Sequence, residues 1–378
     1  MSWLTAEEAL AQLGTKPQTL YANVSRGRIR AKADPADPRR SLYHTADVTR
    51  LAERHAGRRK SETVAAEAIQ WGDPVLPSAV STIVDGRLYY RGRDAVSLSA
   101  SATLEAAAAV LWDAPAVELA GEVIEGGPPV IRNAFLALAG RVTRDLPSLG
   151  RSRSVLRSEA ISVFSCVSAA LAPGRGDFVH IRLANAWGRP EAADCLRRAL
   201  VLLADHELNA STFASRVTAS SGASLSAAVL SGLSALTGPL HGGAWQGVSA
   251  LADMARHAGA DEAVRRGLSQ GNPLPAFGHP LYPDGDIRAS ALLQHFEMPR
   301  LFEEIRKAGE AATGERANVD FALTAMAESF ALPGEAPMVI FALARTCGWL
   351  AHAMEQVEDG HLIRPRARYC GPALVAGG

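Results

Sequence analysis

Long apolar runs are missing from this chain: no stretch reads as approaching the roughly 20 residues that span a bilayer, so a membrane protein is not expected. Cysteine is scarce as well. Cys166, Cys195, Cys347 and Cys370 stand far apart, with no CxxC pair and no metal-ligand spacing, which excludes a disulfide scaffold and a zinc cage and fits a reducing cytoplasm. The opening MSWLTAEEALAQLG has acids where a signal peptide is apolar and no basic segment before them, so no secretion signal is read there. Net charge is absent too, with 39 Lys+Arg against 39 Asp+Glu, which rules out an overall polybasic protein. No P-loop, dinucleotide-binding GxGxxG, GxSxG elbow or HExxH occurs. What remains is 378 residues, 48% hydrophobic and 21% charged, the composition of a soluble globular protein of about two to three domains.

The zero net charge conceals a division. Residues 1–60 hold twelve basic and six acidic side chains, a net +6, and the other 318 residues carry −6. Thr5 and Glu8 have capping-box spacing ahead of an Ala/Leu helix ending near Gly14. Pro17 suits the first turn of a second helix closed by Gly27, followed by a basic turn or wing and a third helix from about Thr45 to His55. This arrangement resembles the helix-turn-helix of the MerR and excisionase type. That resemblance implies a second helix offering Gln18, Thr19, Tyr21, Asn23 and Ser25 to the major groove, with Arg26, Arg28, Arg30 and Lys32 on phosphates. The alternative is a solvated helical hairpin serving dimer contacts. Residues 57–62, GRRKSE, read as the linker to the body.

The body reads as all-α. Residues 75–94 are the exception, where Asp85-Gly86 between STIV and RLYY signals a β-hairpin. Beyond it, Ala/Leu-rich segments of about 10–20 residues repeat apolar positions every three or four residues, several of them apolar most of the way round.

Chemistry gathers in four short segments: DHELNASTFASR with His206, Asn209, Ser211, Thr212 and Arg216; TGPLHGGAWQG with His241; PAFGHPLYPDGDIRA with His279 and Arg288; and ERANVDF with Asp320. Each has a plain structural alternative: His241 as a capping or core histidine, Asp320 as a helix N-cap, Arg216 and Arg288 as surface charges. In this order, and with STIVDGRLYYRGRD before them and FALARTCGWLAHAMEQ and LIRPRARY after, they resemble the citrate synthase family over residues 75–370.

The resemblance implies a large helical domain, 61–244 with 336–378, a small helical domain, 245–335, and a preceding module at 1–60. It implies condensation of acetyl-CoA with oxaloacetate, or of propionyl-CoA in a 2-methylcitrate synthase, with no metal and no cofactor beyond the CoA co-substrate. By that likeness Asp320 is the base, His241 donates to the enol oxygen and His279 to the ketone. Arg288, Arg345 and His206 hold oxaloacetate, and Arg364, or Arg366 beside it, reaches across a homodimer interface. Arg345 read alone is an interhelical salt bridge, and His352, seven residues on, reads as structural. The chain departs from the family where basic residues usually follow the loop histidine, having Pro280 and Pro283 instead. Trp245, Ala276 and Ile287 are further departures; either other basic residues, such as Arg265, Arg266 or Arg316, meet the CoA phosphates, or the acyl donor is bound weakly. A third reading keeps the binding groups but makes the body a ligand sensor for a DNA-binding regulator.

Overall fold

The structure is a computed structural model and describes residues 3–13, 15, 17–25, 29–34, 37, 40–49, 76–119, 129–367 and 369–372. Its contacts divide the chain into two units, 1–77 and 78–378.

The first unit holds strand β1 (Trp3–Leu4), helices α1 (Ala6–Leu13) and α2 (Pro17–Ser25), and strands β2 (Ala31–Ala33) and β3 (Ser41–His44). The antiparallel sheet runs β1-β3-β2, pairing Leu4 and Ala31 with Tyr43 from its two sides. The expected capping box forms: Glu8 Oε2 accepts from Thr5 N at 2.8 Å while Thr5 Oγ1 accepts from Glu8 N at 3.3 Å. Ala9, Leu13, Leu20, Ile29, Tyr43 and Val48 close a small core. Two expected nucleic-acid contacts are used inside the unit. Asn23 is buried and donates to Thr19 O, and Arg30 forks onto Asp47 at 2.7 and 3.1 Å. Lys32 stands over the Trp3 ring, whereas Tyr21 is exposed on α2. The third helix occupies 45–49. Its expected continuation to His55, the linker 57–62, Arg26, Arg28 and the side chain of Ser25 lie outside the described residues.

The second unit opens with the expected hairpin, β4 (Ser81–Val84) and β5 (Arg87–Tyr90), extended by β6 (Arg93–Asp94). Asp85 and Gly86 both take positive φ, 49° and 68°, which the tight two-residue turn requires. Helices follow: α3 (Ala95–Ser99), α4 (Leu104–Leu111), α5 (Ile131–Val142), α6 (Arg153–Leu171), α7 (Val179–Ala186), α8 (Ala193–Leu203), α9 (Ala210–Ser220), α10 (Leu225–Leu236), α11 (Trp245–Ala258), α12 (Ala260–Ser269), α13 (Ile287–Leu293), α14 (Arg300–Thr313), α15 (Val319–Ser329) and α16 (Ala336–Asp359).

Helix α16 is the axis of this unit, buried at every residue from Ala336 to Met354 and packed by α4, α6, α8, α9 and α10. A helix apolar all round needs neighbours on every side, and its small residues let them approach. Gly232 of α10 lies flat against the Trp349 indole, where a Cβ would stand about 3 Å from the ring. A second apolar cluster, with Val248, Leu251, Val264, Phe302, Ile305 and Phe321, gathers α11, α12, α14 and the start of α15. One expectation is corrected. Helix α6, 19 residues with hydropathy 1.3, is long and apolar enough to cross a membrane by length and composition. Its burial explains the composition: Leu156, Ala160, Val163, Phe164 and Val167 face the main core, while Arg153 and Arg157 bond Asp113.

Candidate active site

The segment that ends α8 is laid along α16 by three contacts. Arg345 Nε donates to Leu203 O at 3.0 Å, Gly348 N donates to Ala204 O at 3.0 Å, and His352 Nε2 lies 3.1 Å from Asp205 Oδ2. Any side chain at Gly348 would overlap the Asp205 carboxylate. Ser81 of the hairpin also donates to Asp205, so strand, helix end and central helix are tied at one buried point. His352 is therefore structural, as expected from the sequence. The next residue, His206, projects from this anchor. Its Nε2 is 2.9 Å from the Tyr282 hydroxyl, and its ring meets His279 edge-on with centroids 5.3 Å apart.

His279 sits in a loop of consecutive turns, with Tyr282 N donating to His279 O and Gly285 N to Tyr282 O. The Leu281 amide donates to His279 Nδ1 at 3.2 Å, which leaves the proton of the neutral ring on Nε2. Burial, reinforced by Arg288, pushes His279 down to about 4, so the ring is neutral at physiological pH. His241 lies in the turn between α10 and α11 and is also pushed down to about 4, by burial and then Arg345. Its Nε2 is 2.8 Å from Ser211 Oγ. That hydroxyl accepts from Trp349 Nε1 at 3.1 Å and donates to Asn209 Oδ1 at 2.7 Å. His206 falls well below the ordinary histidine value through burial, then Arg288, Arg345, His279 and His241, which places these five groups within one electrostatic neighbourhood.

Asp320 is the second residue of α15, but it does not cap the helix. Asn318 does, accepting from Asp320 N at 3.0 Å. Burial raises the Asp320 carboxyl to about 7, against the opposing pull of Arg288 and with Asp286 adding to the rise. The loop of His279 and the start of α15 are stitched together: Gly278 N donates to Arg316 O, Asn318 N to Ala276 O, and Asn318 Nδ2 to Gly278 O.

Two arginines face this cluster. Arg288 is buried, paired in a two-point fork with Asp286 and stacked over Tyr282 at 5.1 Å. Arg345 is fully buried, and among the described residues it bonds no carboxylate: its one hydrogen bond there is to a backbone carbonyl, and Nη2 has no partner. Burial lowers it to about 10. The interhelical salt bridge is thus not what Arg345 makes, and a buried guanidinium with a spare N–H is a seat for an anion. Arg216 is buried as well, bonding Glu355 and Gln356, so neither Arg216 nor Arg288 is a surface charge.

The fold thus brings together His206, His241, His279, Asp320, Arg288 and Arg345. It does not bring Arg364 there. Ile363 N is pinned to Ser220 Oγ at the far end of α9, about 15 Å of helix from the Asn209–Ser211 end, and Arg364 and Arg366 are exposed. Three further residues emerge from the geometry. The sequence offers Ser211 as one of several polar residues, without a role, and Tyr282 only within its motif. Asp286 stands in the sequence as a neighbour of Arg288, although an acid two residues before an arginine at a helix start signals a cap.

The family model described as citrate synthase, C-terminal domain, matches residues 157–366. Over 346 residues the chain is 28% identical to citrate synthase 2 of Bacillus subtilis, spanning 78% of this chain and 93% of that one. Over 194 residues it is 32% identical to 2-methylcitrate synthase 1 of Corynebacterium glutamicum, spanning 48% of this chain and 51% of the other. The fold is similar to the crystal structure of citrate synthase from Thermotoga maritima, with a TM-score of 0.66 and 27% identity over 81% of this chain and 96% of that chain.

Proposed function

Because this chain belongs to the citrate synthase family of acyltransferases, we propose that it condenses an acyl-CoA thioester with oxaloacetate and water, releasing a tricarboxylic acid and CoA. The observation that carries this reading is the pairing of two neutral histidines with a carboxyl raised to about 7, beside an arginine that has no carboxylate partner among the described residues.

In this reading Asp320 takes a proton from the carbon next to the thioester carbonyl. A base with a pKa near 7 is ionised enough to act at neutral pH and basic enough to accept the proton. His241 gives a ring N–H as a hydrogen bond to the enol oxygen, from Nδ1 once the Ser211 hydroxyl turns from Asn209 Oδ1 to donate to Nε2. His279, with Nε2–H held by the Leu281 amide, polarises the ketone that the enol carbon attacks, and the alkoxide formed takes up the proton. Water then cleaves the thioester, leaving the CoA thiol and a carboxylate. Neutral imidazoles suit this work because they donate without drawing the proton back from Asp320. Arg345, Arg288 and His206 hold the oxaloacetate carboxylates.

Acetyl-CoA is the donor we assign, giving citrate. Propionyl-CoA, giving 2-methylcitrate, is the alternative, since one methylene in an apolar pocket changes binding by only about 1–3 kcal/mol. Pro280 and Pro283 bring no charge to the donor's phosphates. Arg265 and Arg266 pair with Glu262, and Arg316 with Glu310, at the surface, where solvent screens such pairs and they yield readily to a phosphate. The division into a large domain, 61–244 with 336–378, and a small domain, 245–335, that closes over the substrates is supported by the second apolar cluster. The assembly is a homodimer in which the partner's chain supplies Arg364 or Arg366. The exposure of Leu136, Leu146 and Leu149 along α5 and the turn after it supports a subunit contact there.

A second reading has its own observation. The first unit carries two short helices and a β2–β3 wing in a basic segment, with Gln18, Thr19 and Tyr21 exposed on α2. That supports DNA binding through residues 1–60, with the body sensing a dicarboxylate. The two readings separate on thiol release by the full chain given oxaloacetate and either acyl-CoA. Release that needs both substrates supports the synthase. Absence of release from folded protein, with oxaloacetate-dependent DNA retention, supports the sensor.

A further inference from the structure

Asp286 is almost wholly buried, yet every part of its carboxylate is used. Oδ1 accepts from Arg288 N at 3.0 Å, which caps α13, and from Arg288 Nε at 2.9 Å. Oδ2 accepts from Arg288 Nη2 at 2.8 Å and from Val319 N at 3.0 Å, the amide immediately before Asp320. One side chain thus fixes the guanidinium of one helix and the N-terminal turn of another.

We infer that Asp286 is the positioning residue of the site, bracing Arg288 and the Asp320-bearing turn into one rigid unit. This rests on the reading of Arg288 as an oxaloacetate ligand and Asp320 as the base. An unbraced arginine has several rotatable bonds to order on binding, whereas a fork held by two bonds meets the substrate pre-oriented. The two-point pair uses Nε and one N–H of Nη2, and leaves the remaining N–H groups for an anion. The tie to Val319 N supplements the backbone stitches between the His279 loop and α15, so the ketone donor, the arginine and the base keep their spacing together.

The same placement sets the charge around Asp320. From the loop and α13 it meets Asp286 and Arg288, and from α16 Arg345. Asp286 in turn faces Arg288 and His279, with the Tyr282 ring against the guanidinium. Removing the Asp286 charge deletes a like charge near Asp320 and leaves Arg288 uncompensated. Both changes favour the ionised base.

The test uses the full chain carrying Asp286→Ser. Serine keeps the helix cap and removes the fork and the tie to Val319; Asp286→Asn serves as a second variant that keeps the size. For folded protein with an unchanged circular dichroism spectrum, we expect KM and the calorimetric Kd for oxaloacetate to rise at least tenfold. The acid limb of the pH–rate profile should move down by at least half a unit, which a loss of packing alone does not produce. Folded Asp286→Ser with wild-type Kd and wild-type pH profile overturns the role. Failure of the underlying reading looks different: the unmutated chain binds no oxaloacetate, or Asp320→Asn keeps full turnover, and either result removes the role along with it.

Discussion

Asp320 carries the sharpest consequence of local physics. Its carboxyl is raised from the ordinary aspartate value to about 7 because burial penalises the charged form. Turnover should therefore rise with pH through about 7, while His241 and His279, at about 4, stay neutral across that window. A pH–rate profile with its acid limb near 4 contradicts this assignment. The linkage also has a definite sign. A carboxyl raised on folding binds protons in the native state that the unfolded chain has already lost, so its contribution fades as pH rises from about 4 to 7. Asp320→Asn should abolish thiol release yet stabilise the protein at pH 8 by about 1–4 kcal/mol in denaturant unfolding, from roughly 1.4 kcal/mol per unit. In the proposed mechanism Ser211 works through His241, which it touches at 2.8 Å. Ser211→Ala removes the partner of His241 Nε2, and we expect kcat to fall about 10- to 100-fold with KM for oxaloacetate little changed. Equal losses in both constants would place Ser211 in substrate binding instead.

Among the elements, α16 explains how one helix serves both core and site. Arg345, Gly348 and His352 recur along the face that receives the end of α8, and each contacts a successive residue from Leu203 to Asp205. Gly348→Ala drives a methyl into the buried Asp205 carboxylate. It should destabilise by about 3 kcal/mol or more, or prevent folding, as overpacking beside a buried charge does; a melting temperature within about 2 °C of the original would contradict this. Elements of this kind were readable in the sequence wherever the signal was local. The Thr5–Glu8 box, the Asp85-Gly86 turn and the apolar helices depend on neighbours within a few residues, and all of them form. The site's motif residues could be named from likeness, but their partners could not. Arg30 bonding Asp47 and Asp286 bonding Val319 N are pairs set by tertiary contact, and no periodicity encodes them. Arg345 shows the same limit, since a lone arginine on an apolar helix reads as a salt bridge until the acid is seen to be missing.

At the scale of the whole molecule, one chain gathers His206, His241, His279, Asp320, Arg288 and Arg345, while Arg364 and Arg366 stand exposed. With Ile363 held at the distal end of α9, Arg364 cannot serve the cluster that its own chain builds. In the proposed homodimer the C-terminal segment of the partner would supply that cation. Arg364→Ala and Asp320→Asn proteins, each inactive alone, should regain up to a quarter of wild-type turnover after subunit exchange, because one of the two mixed sites is then intact. No recovery, with exchange verified by native mass spectrometry, would place the missing cation elsewhere, with Arg366→Ala the next variant to mix. The charge division between the basic first unit and the acidic body sets the alternative at this same scale, a protein that reads a dicarboxylate in order to bind DNA.

The most direct measurement is thiol release from the purified full chain with oxaloacetate and acetyl-CoA or propionyl-CoA, alongside Asp320→Asn. A condensing synthase gives release only when both substrates are present, lost at least 1,000-fold in the variant, with the larger kcat/KM naming the donor. No release from folded, dimeric wild-type protein, or equal release from the variant, would contradict the synthase reading.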